Sequence, residues 1–140
     1  MLNRRQTTVY NNPLQTYENV NKASMSGREV EAAVLTKAAR KLQACQASWN
    51  DNDHDQRLDA ALKFNQLVWS IFQTELDKAD NPLPAKLRVD LLALSSYVDK
   101  RIIEAFAYPS PEKLTPIINI NHNIAAGLRG SPADDDNKIE

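Results

Sequence analysis

The sequence predicts an all-α protein: a small helical bundle of four main helices, preceded by an N-terminal arm or short helix and followed by a disordered C-terminal tail. Its 140 residues are 42% hydrophobic and 25% charged, which suits one modest globular domain. With only three glycines and seven prolines, the chain has few of the turns that an all-β fold requires. Four segments instead carry apolar residues at the three- and four-residue spacing of a helix face.

The two ends of the chain differ in composition from the middle. Residues 1–22 are rich in Asn, Gln and Thr, so we expect an N-terminal arm with a short helix after Pro13. The helical domain is predicted over residues 23–129. Residues 130–140 are polar and acidic and have too few apolar anchors to offset the entropy lost on ordering. They are predicted to form a disordered tail.

The first predicted helix begins with a capping box. Ser26 stands three residues before Glu29, and the two side chains can each satisfy a backbone N–H that the first turn leaves unpaired. The helix is predicted to end near Gln46. Its apolar residues share one sector: Val34, Leu35, Ala38, Leu42 and Cys45. We therefore interpret Cys45 as a small core residue rather than a reactive thiol.

The second predicted helix, about Gln56–Asp77, has more apolar surface than one neighbouring helix can cover. A first set follows the helical template: Leu58, Ala61, Leu62, Asn65, Trp69, Phe72 and Leu76. A second set widens the apolar surface past half the circumference: Phe64, Leu67, Val68 and Ile71. Such a helix is either central in a bundle or keeps apolar surface for a partner.

The third predicted helix follows the breaker NPLP at residues 81–84 and has Pro84 in its first turn, where the missing N–H costs nothing. It ends before Tyr108. Its stripe is regular and indicates a packing helix: Leu87, Leu91, Leu94, Val98, Ile102 and Ala105.

The fourth segment, PIININHNIAAGL at residues 116–128, is compatible at first with a strand or a helix. Pro116 argues against a central strand, and the alternation ends after Ile124, whereas the helical spacing continues to Leu128. We therefore predict a helix with Thr115 as its cap and Pro116 in its first turn. Asn121 then falls within the apolar sector.

Asn65 and Asn121 are thus predicted to lie among apolar neighbours on two different helices. A buried amide without partners costs roughly 1–3 kcal/mol, comparable to the gain from burying one leucine. We expect the two amides to bond each other or nearby backbone, and so to fix the helix register as a polar residue does in a coiled coil. The alternative is that one amide contacts a partner.

Known catalytic and metal-binding patterns fit poorly. Asp51, Asp53 and Asp55 are spaced like calcium ligands, but Gln56 and Leu62 replace the glycine and the glutamate that an EF-hand needs. The acidic loop is interpreted as a connector in which Asp53 or Asp55 caps the second helix. His54, His122 and Cys45 are too far apart for a zinc motif, and there is no phosphate-binding glycine loop. We expect no enzyme activity, no metal and no cofactor.

The overall charge gives little attraction for a polyanion. The net charge is -1 and the pI is near 6.1, so we expect no membrane contact and no direct contact with nucleic acid. The basic pairs Arg4–Arg5 and Arg40–Lys41 are interpreted as solvated faces. No signal-peptide pattern or membrane-spanning run is visible, and a single cysteine fits a reducing compartment. We expect a cytoplasmic protein.

Four stretches carry a family resemblance: GREVEAAVLTKAARKL at 27–42, ALKFNQLVWSIF at 61–72, LPAKLRVDLLAL at 83–94 and IININHNIAAGL at 117–128. Their order and spacing resemble the FlaF family of bacterial flagellar biosynthesis regulators over roughly residues 10–128. The more specific features are the Arg28–Glu29 start, the Asn65 to Trp69 spacing, Leu83–Pro84 with Arg88, and the Asn121 to Gly127–Leu128 ending. His122 departs from the arginine expected after the asparagine.

The resemblance implies a protein that supports flagellin production and secretion alongside the regulator FlbT, with flagellin as the client. Flagellin termini are amphipathic helical segments, and a helical protein with surplus apolar surface can shield them in a groove. The expected groove residues are Tyr17, Phe64, Val68 and Ile71, with Trp69 at the edge; the alternative for all but Tyr17 is an ordinary core position. A second functional hypothesis is post-transcriptional regulation of flagellin messenger RNA, directly or through FlbT. A third is a purely structural partner without a client.

Overall fold

The computed structural model describes the backbone of residues 27–139 and the side chains of residues 27–130. This part of the chain forms four α-helices: α1 Gly27–Ala47, α2 His54–Asp77, α3 Ala85–Ala107 and α4 Pro111–Ile139. No residue between 27 and 139 lies in a β-strand, and the predicted all-α bundle is confirmed. None of these helices is apolar over a length that would cross a membrane.

The helices form a closed ring in which each one packs mainly on two others: α1 packs on α2 and α4, and α3 packs on α2 and α4. Helices α1 and α4 run antiparallel, because residues late in α1 pair with residues early in α4. Gln46 Nε2 donates to the Pro111 carbonyl oxygen at 2.9 Å, while Arg129 donates to the Thr36 hydroxyl at 2.9 Å near the opposite end. The ring leaves one side of every helix facing outward.

The core contains the helix faces that the apolar spacing predicted. Fully buried large apolar side chains come from all four helices: Leu35, Leu42, Leu62, Trp69, Val98, Ile102, Leu114 and Ile117. Burial of such a side chain contributes roughly 1.5–3 kcal/mol, so this core is the main favourable term in folding. Cys45 is buried among these residues, as predicted, and burial raises the pKa of its thiol while Arg57 opposes the shift.

A hydrogen-bonded amide network crosses the core between α1, α2 and α4. Asn121 Nδ2 donates to Asn65 Oδ1 at 2.6 Å, and Trp69 Nε1 donates to Asn121 Oδ1 at 2.9 Å. Asn65 Nδ2 donates to the carbonyl oxygens of Ala38, at 3.1 Å, and Ala61, at 2.9 Å. The hydrogen bond expected between the two amides is therefore present, and both side chains are completely buried.

Helix α4 begins earlier than the sequence predicted. It starts at Pro111, so the first-turn position expected for Pro116 belongs to Pro111, and the Ser110 carbonyl accepts a hydrogen bond from the Lys113 N–H at 3.2 Å. Thr115 lies inside the helix instead of capping it. Its hydroxyl accepts a hydrogen bond from Gln46 Nε2 at 3.0 Å, which joins α4 to the end of α1.

The far end of α4 also differs from the prediction. The helix continues to Ile139, whereas the sequence predicted a disordered tail from Gly130. The apolar pattern ends at Leu128, but extending an existing helix needs no new nucleus and no apolar face, although Pro132 has no N–H to donate to the preceding turn. The predicted arm over residues 1–22 and the Ser26 half of the capping box lie outside the described residues.

The apolar stripe predicted for α3 is buried only in its second half. Val98, Ile102 and Ala105 are fully buried, but Leu87 is 44% exposed. Leu87 lies in the first turn of the helix, where the end of the bundle leaves one side open to solvent. The stripe therefore marks the packing face correctly but overstates how far along α3 that face is covered.

Replacing Asn121 with Ala should lower the free energy of unfolding by roughly 2–4 kcal/mol, because the indole N–H of Trp69 and the side-chain oxygen Oδ1 of Asn65 each lose their hydrogen-bond partner in the core. Chemical denaturation measures the change. Asn123 is the matched control: it is exposed on the same helix, and Asn123→Ala should stay within about 0.5 kcal/mol. In a double-mutant cycle, Asn65→Ala and Asn121→Ala should be strongly non-additive; simple additivity would show that the amides do not act together.

Candidate partner-binding surface

Three large apolar residues form an outward-facing row on α2: Phe64, Leu67 and Ile71, here called the α2 strip. Leu67 is 57% exposed and Ile71 is 52% exposed, while Phe64 is half-buried. Their separations of three and four residues place them on one side of the helix. Asn65 faces the core through its hydrogen bonds, which turns this side of α2 toward solvent. The strip is the surplus apolar surface that the sequence predicted.

Two residues that the sequence assigned to the groove lie in the core instead. Val68 is 4% exposed and Trp69 is 2% exposed, so neither lines an outer surface. Measured around the helix, Val68 and Trp69 are only about 60° and 40° from the inward-facing Asn65, whereas Ile71 is about 120° away. The indole N–H of Trp69 also donates a hydrogen bond to the buried Asn121, which holds the side chain in the core.

Leu67 is a strip residue that the sequence-based choice of groove residues omitted. It lies about 160° around the helix from Asn65 and occupies the middle of the strip. Its outward position could have been predicted by assuming that the Asn65 side chain, rather than the centre of the apolar sector, points toward the core. Tyr17, the remaining residue assigned to the groove, lies outside the described residues.

A basic cluster borders the Phe64 end of the strip. Lys37 Nζ and Lys41 Nζ of α1 lie 5.5 Å and 5.1 Å from the centre of the Phe64 ring, at the distance of a cation–π contact. Arg40 and Arg129 join them around an open depression of about 600 Å³, which is also lined by Ala33, Thr36 and Ala44. Among the described residues, these four cations have no ion-pair partner.

The other end of the strip carries charged residues of both signs. Glu75 lies one turn beyond Ile71 and faces Glu31 of α1. Burial raises the pKa of the Glu31 carboxyl, the charge of Glu75 raises it further, and Arg28 opposes the shift. Glu75 also pairs with Lys78, whose Nζ lies 2.8 Å from the carboxylate. This end of the strip therefore carries charges of both signs, whereas Lys37 and Lys41 border the Phe64 end.

A protein-family model described as "Flagellar protein FlaF" matches residues 13–128, which are most of the chain. The chain belongs to the FlaF family. A search of curated proteins found no match, and neither did a search of solved structures.

The FlaF match spans α1 to α3 and α4 as far as Leu128, so the amide network and the α2 strip lie within it. In this FlaF-family chain the acidic loop before α2 serves as a connector. Asp53 occupies the N-cap position but makes no capping hydrogen bond with its side chain. That carboxylate instead lies 3.2 Å from Arg57 Nη1. No cluster of metal-ligating side chains was found in the described part of the chain.

Replacing Glu31 with Gln should stabilise the fold at neutral pH. The folded state favours the protonated carboxyl, so the stability of the native protein falls as the pH rises from the ordinary carboxyl pKa through the raised one. The Glu31→Gln variant has no carboxyl to ionise at this position, so it does not lose stability over this pH range. The free energy of unfolding should therefore exceed that of the native sequence near pH 7, and the difference should shrink toward pH 4.

Denaturant titrations at several pH values provide the measurement. Glu112→Gln serves as the control, because Glu112 is exposed in the first turn of α4 and should give no such gain. A stabilisation by Glu31→Gln that stays constant down to pH 4 would contradict the electrostatic cause.

Proposed function

We propose that this protein is a flagellar biosynthesis factor that binds flagellin in the cytoplasm as a chaperone-like partner and supports its production and secretion. The observation that carries the proposal is the α2 strip, in which Leu67 and Ile71 are exposed beside the half-buried Phe64 on a helix whose opposite face lies in the core. Membership of the FlaF family places the protein in flagellar biology. FlbT is the proposed functional companion.

The strip has the form expected of a site for an amphipathic helix. Such a helix binds through apolar residues at three- and four-residue spacing, the same spacing as Phe64, Leu67 and Ile71. The terminal segments of flagellin are amphipathic and unfolded before export, so their apolar faces need cover until the filament assembles. A client that folds on binding has a lower net affinity, because ordering it costs entropy, and this suits a partner that must later release it.

Leu67→Asp and Ile71→Asp should each raise the Kd for flagellin at least about tenfold, because each places a charge where an apolar contact is expected. Both residues are more than half exposed, so the variants should keep the native melting temperature. The measurement is isothermal titration of the full chain with flagellin held unfolded at low concentration, supported by the mass of the co-purified complex.

Helix α3 offers matched control positions. Val89 and Ile103 are 61% and 58% exposed, so Val89→Asp and Ile103→Asp change an equally exposed apolar residue on a different surface. These variants should bind flagellin like the native protein. Equal losses at α2 and α3, or no loss at α2, would rule out the strip as the binding site.

A second candidate function is regulation of flagellin messenger RNA, and the basic cluster of Lys37, Arg40, Lys41 and Arg129 is the observation that favours it. Phosphate binding needs clustered cations and weakens steeply with added salt, whereas apolar capture depends on salt only weakly. A salt titration of complexes with flagellin and with its messenger RNA separates the two functions. Arg40→Glu should abolish RNA binding if the second function is correct.

A further inference from the structure

The α2 strip is one wall of a groove whose other wall comes from α1. Val30 and Val34 are half-buried on α1. They lie on the same side of that helix as Lys37 and Lys41, because the four positions are separated by three or four residues. Both lysines lie over the Phe64 ring, so this side of α1 faces the strip. Val30, Val34 and the strip together form an apolar groove, here called the α1–α2 groove.

The groove leads toward the start of α1. Helices α1 and α2 run antiparallel: Asn65 donates to the Ala38 carbonyl oxygen, whereas Arg57, earlier in α2, donates to the Ala44 carbonyl oxygen, later in α1. The first residue of α1 therefore lies beside the last turn of α2. The segment that precedes α1 joins the bundle at this end of the groove.

Residues 13–26, which precede α1, are long enough to cover the strip. Gly27 lies at about the level of Glu75, which is about 6 Å along the helix axis from Ile71 and about 16 Å from Phe64 at the rise of an α-helix. A helix of about 14 residues spans about 21 Å. The segment can therefore turn back at Gly27 and still extend along the whole strip.

The same segment has the apolar spacing that the groove requires. After Pro13, apolar residues recur at three-residue steps at Leu14, Tyr17 and Val20. On a helix these three residues occupy one side, within about 120°. The FlaF-family match begins at residue 13, so this stretch belongs to the family domain together with both walls of the groove.

We propose, building on the function proposed above, that residues 13–22 dock as an amphipathic helix in the α1–α2 groove of their own chain and occupy it until flagellin displaces them. The residues after this helix form the turn into α1. The helix runs parallel to α2, with Leu14 at the Phe64 end of the strip and Val20 at the Ile71 end.

Tethering favours this occupant over a free one. Leu67 and Ile71 are 57% and 52% exposed, so a segment that covers them removes apolar surface from water. A segment joined to the bundle through a short turn is present at an effective concentration in the millimolar range. The contact is small and docking orders the segment, so the docked state is only modestly favoured. A client with a longer apolar face can therefore displace it.

Chemical crosslinking in the full chain tests the docking without any client. Tyr17→Cys with Leu67→Cys, treated with a short bismaleimide, should give mainly an internally linked monomer; this linker suits the spacing of packed helices better than a disulfide. Cys45 is 3% exposed and does not compete for the reagent. Mass spectrometry of the digested product identifies the link, and the melting temperature verifies the fold.

Tyr17→Cys with Ile103→Cys is the matched control, because Ile103 is equally exposed but lies on α3. This pair should remain largely unlinked. Equal linking of the two pairs would overturn the inference, since it would mean that the segment has no preferred site. A covalent dimer through positions 17 and 67 would also overturn it and identify a second copy of the chain as the occupant.

Charged substitutions in the segment test the displacement. Leu14→Asp with Tyr17→Asp should release the segment and lower the Kd for flagellin roughly tenfold, as expected if the groove is open about a tenth of the time in the native chain. Thr16→Asp with Asn19→Asp is the control, since it adds the same charge to the opposite side of the helix and should leave the Kd unchanged. An unchanged or higher Kd for the first variant would contradict displacement.

The outcome is separable from the fate of the proposed function. If positions 17 and 67 become linked but neither the native chain nor the released variant binds flagellin, the docking stands and the proposed function fails. If flagellin binding depends on Leu67 but the link does not form, the proposed function stands and the docking fails.

Discussion

The hydrogen-bonded amides of Asn65 and Asn121 constrain how α2 sits in the bundle. A leucine at either position could slide or rotate within an apolar core at modest cost, but an amide must keep its partners or leave buried polar atoms unpaired. The network satisfies this demand in only one arrangement, because Asn65 reaches α1 through the Ala38 carbonyl and α4 through Asn121. Trp69 adds a third anchor from the same face of α2.

The outward position of the α2 strip follows from this constraint. Once Asn65 and Trp69 point inward, Leu67 is carried to the far side of the helix, and Phe64 and Ile71 are placed along one flank. The strip thus has a fixed orientation relative to α1, whose lysines lie against Phe64. Fold specificity and the proposed binding surface therefore depend on the same buried polar residues.

Much of the fold could be predicted from the sequence because helical spacing reports burial directly. The four helices could be predicted from the spacing of their apolar residues. The pairing of the two asparagines could be predicted because each one falls within the apolar face of its own helix. The site was harder to predict. Choosing between Leu67 and Val68 requires knowing the rotation of α2 to within roughly a quarter of a turn. That rotation is set by contacts with Ala38 and Asn121, which are distant in sequence. The start of α4 could have been predicted from the local sequence, because Ser110 precedes Pro111 at the first helical position and Glu112 in the first turn.

Site-specific photo-crosslinking tests the central claim most directly, because it reports which face of the bundle touches the client without altering the charge or the core. A photoreactive phenylalanine analogue is placed at position 67 of the strip or at position 103 of α3, and each protein is irradiated with flagellin. The account predicts a covalent adduct with flagellin from position 67 and none above background from position 103. An adduct from position 103 alone, or equal adducts from both, would contradict it.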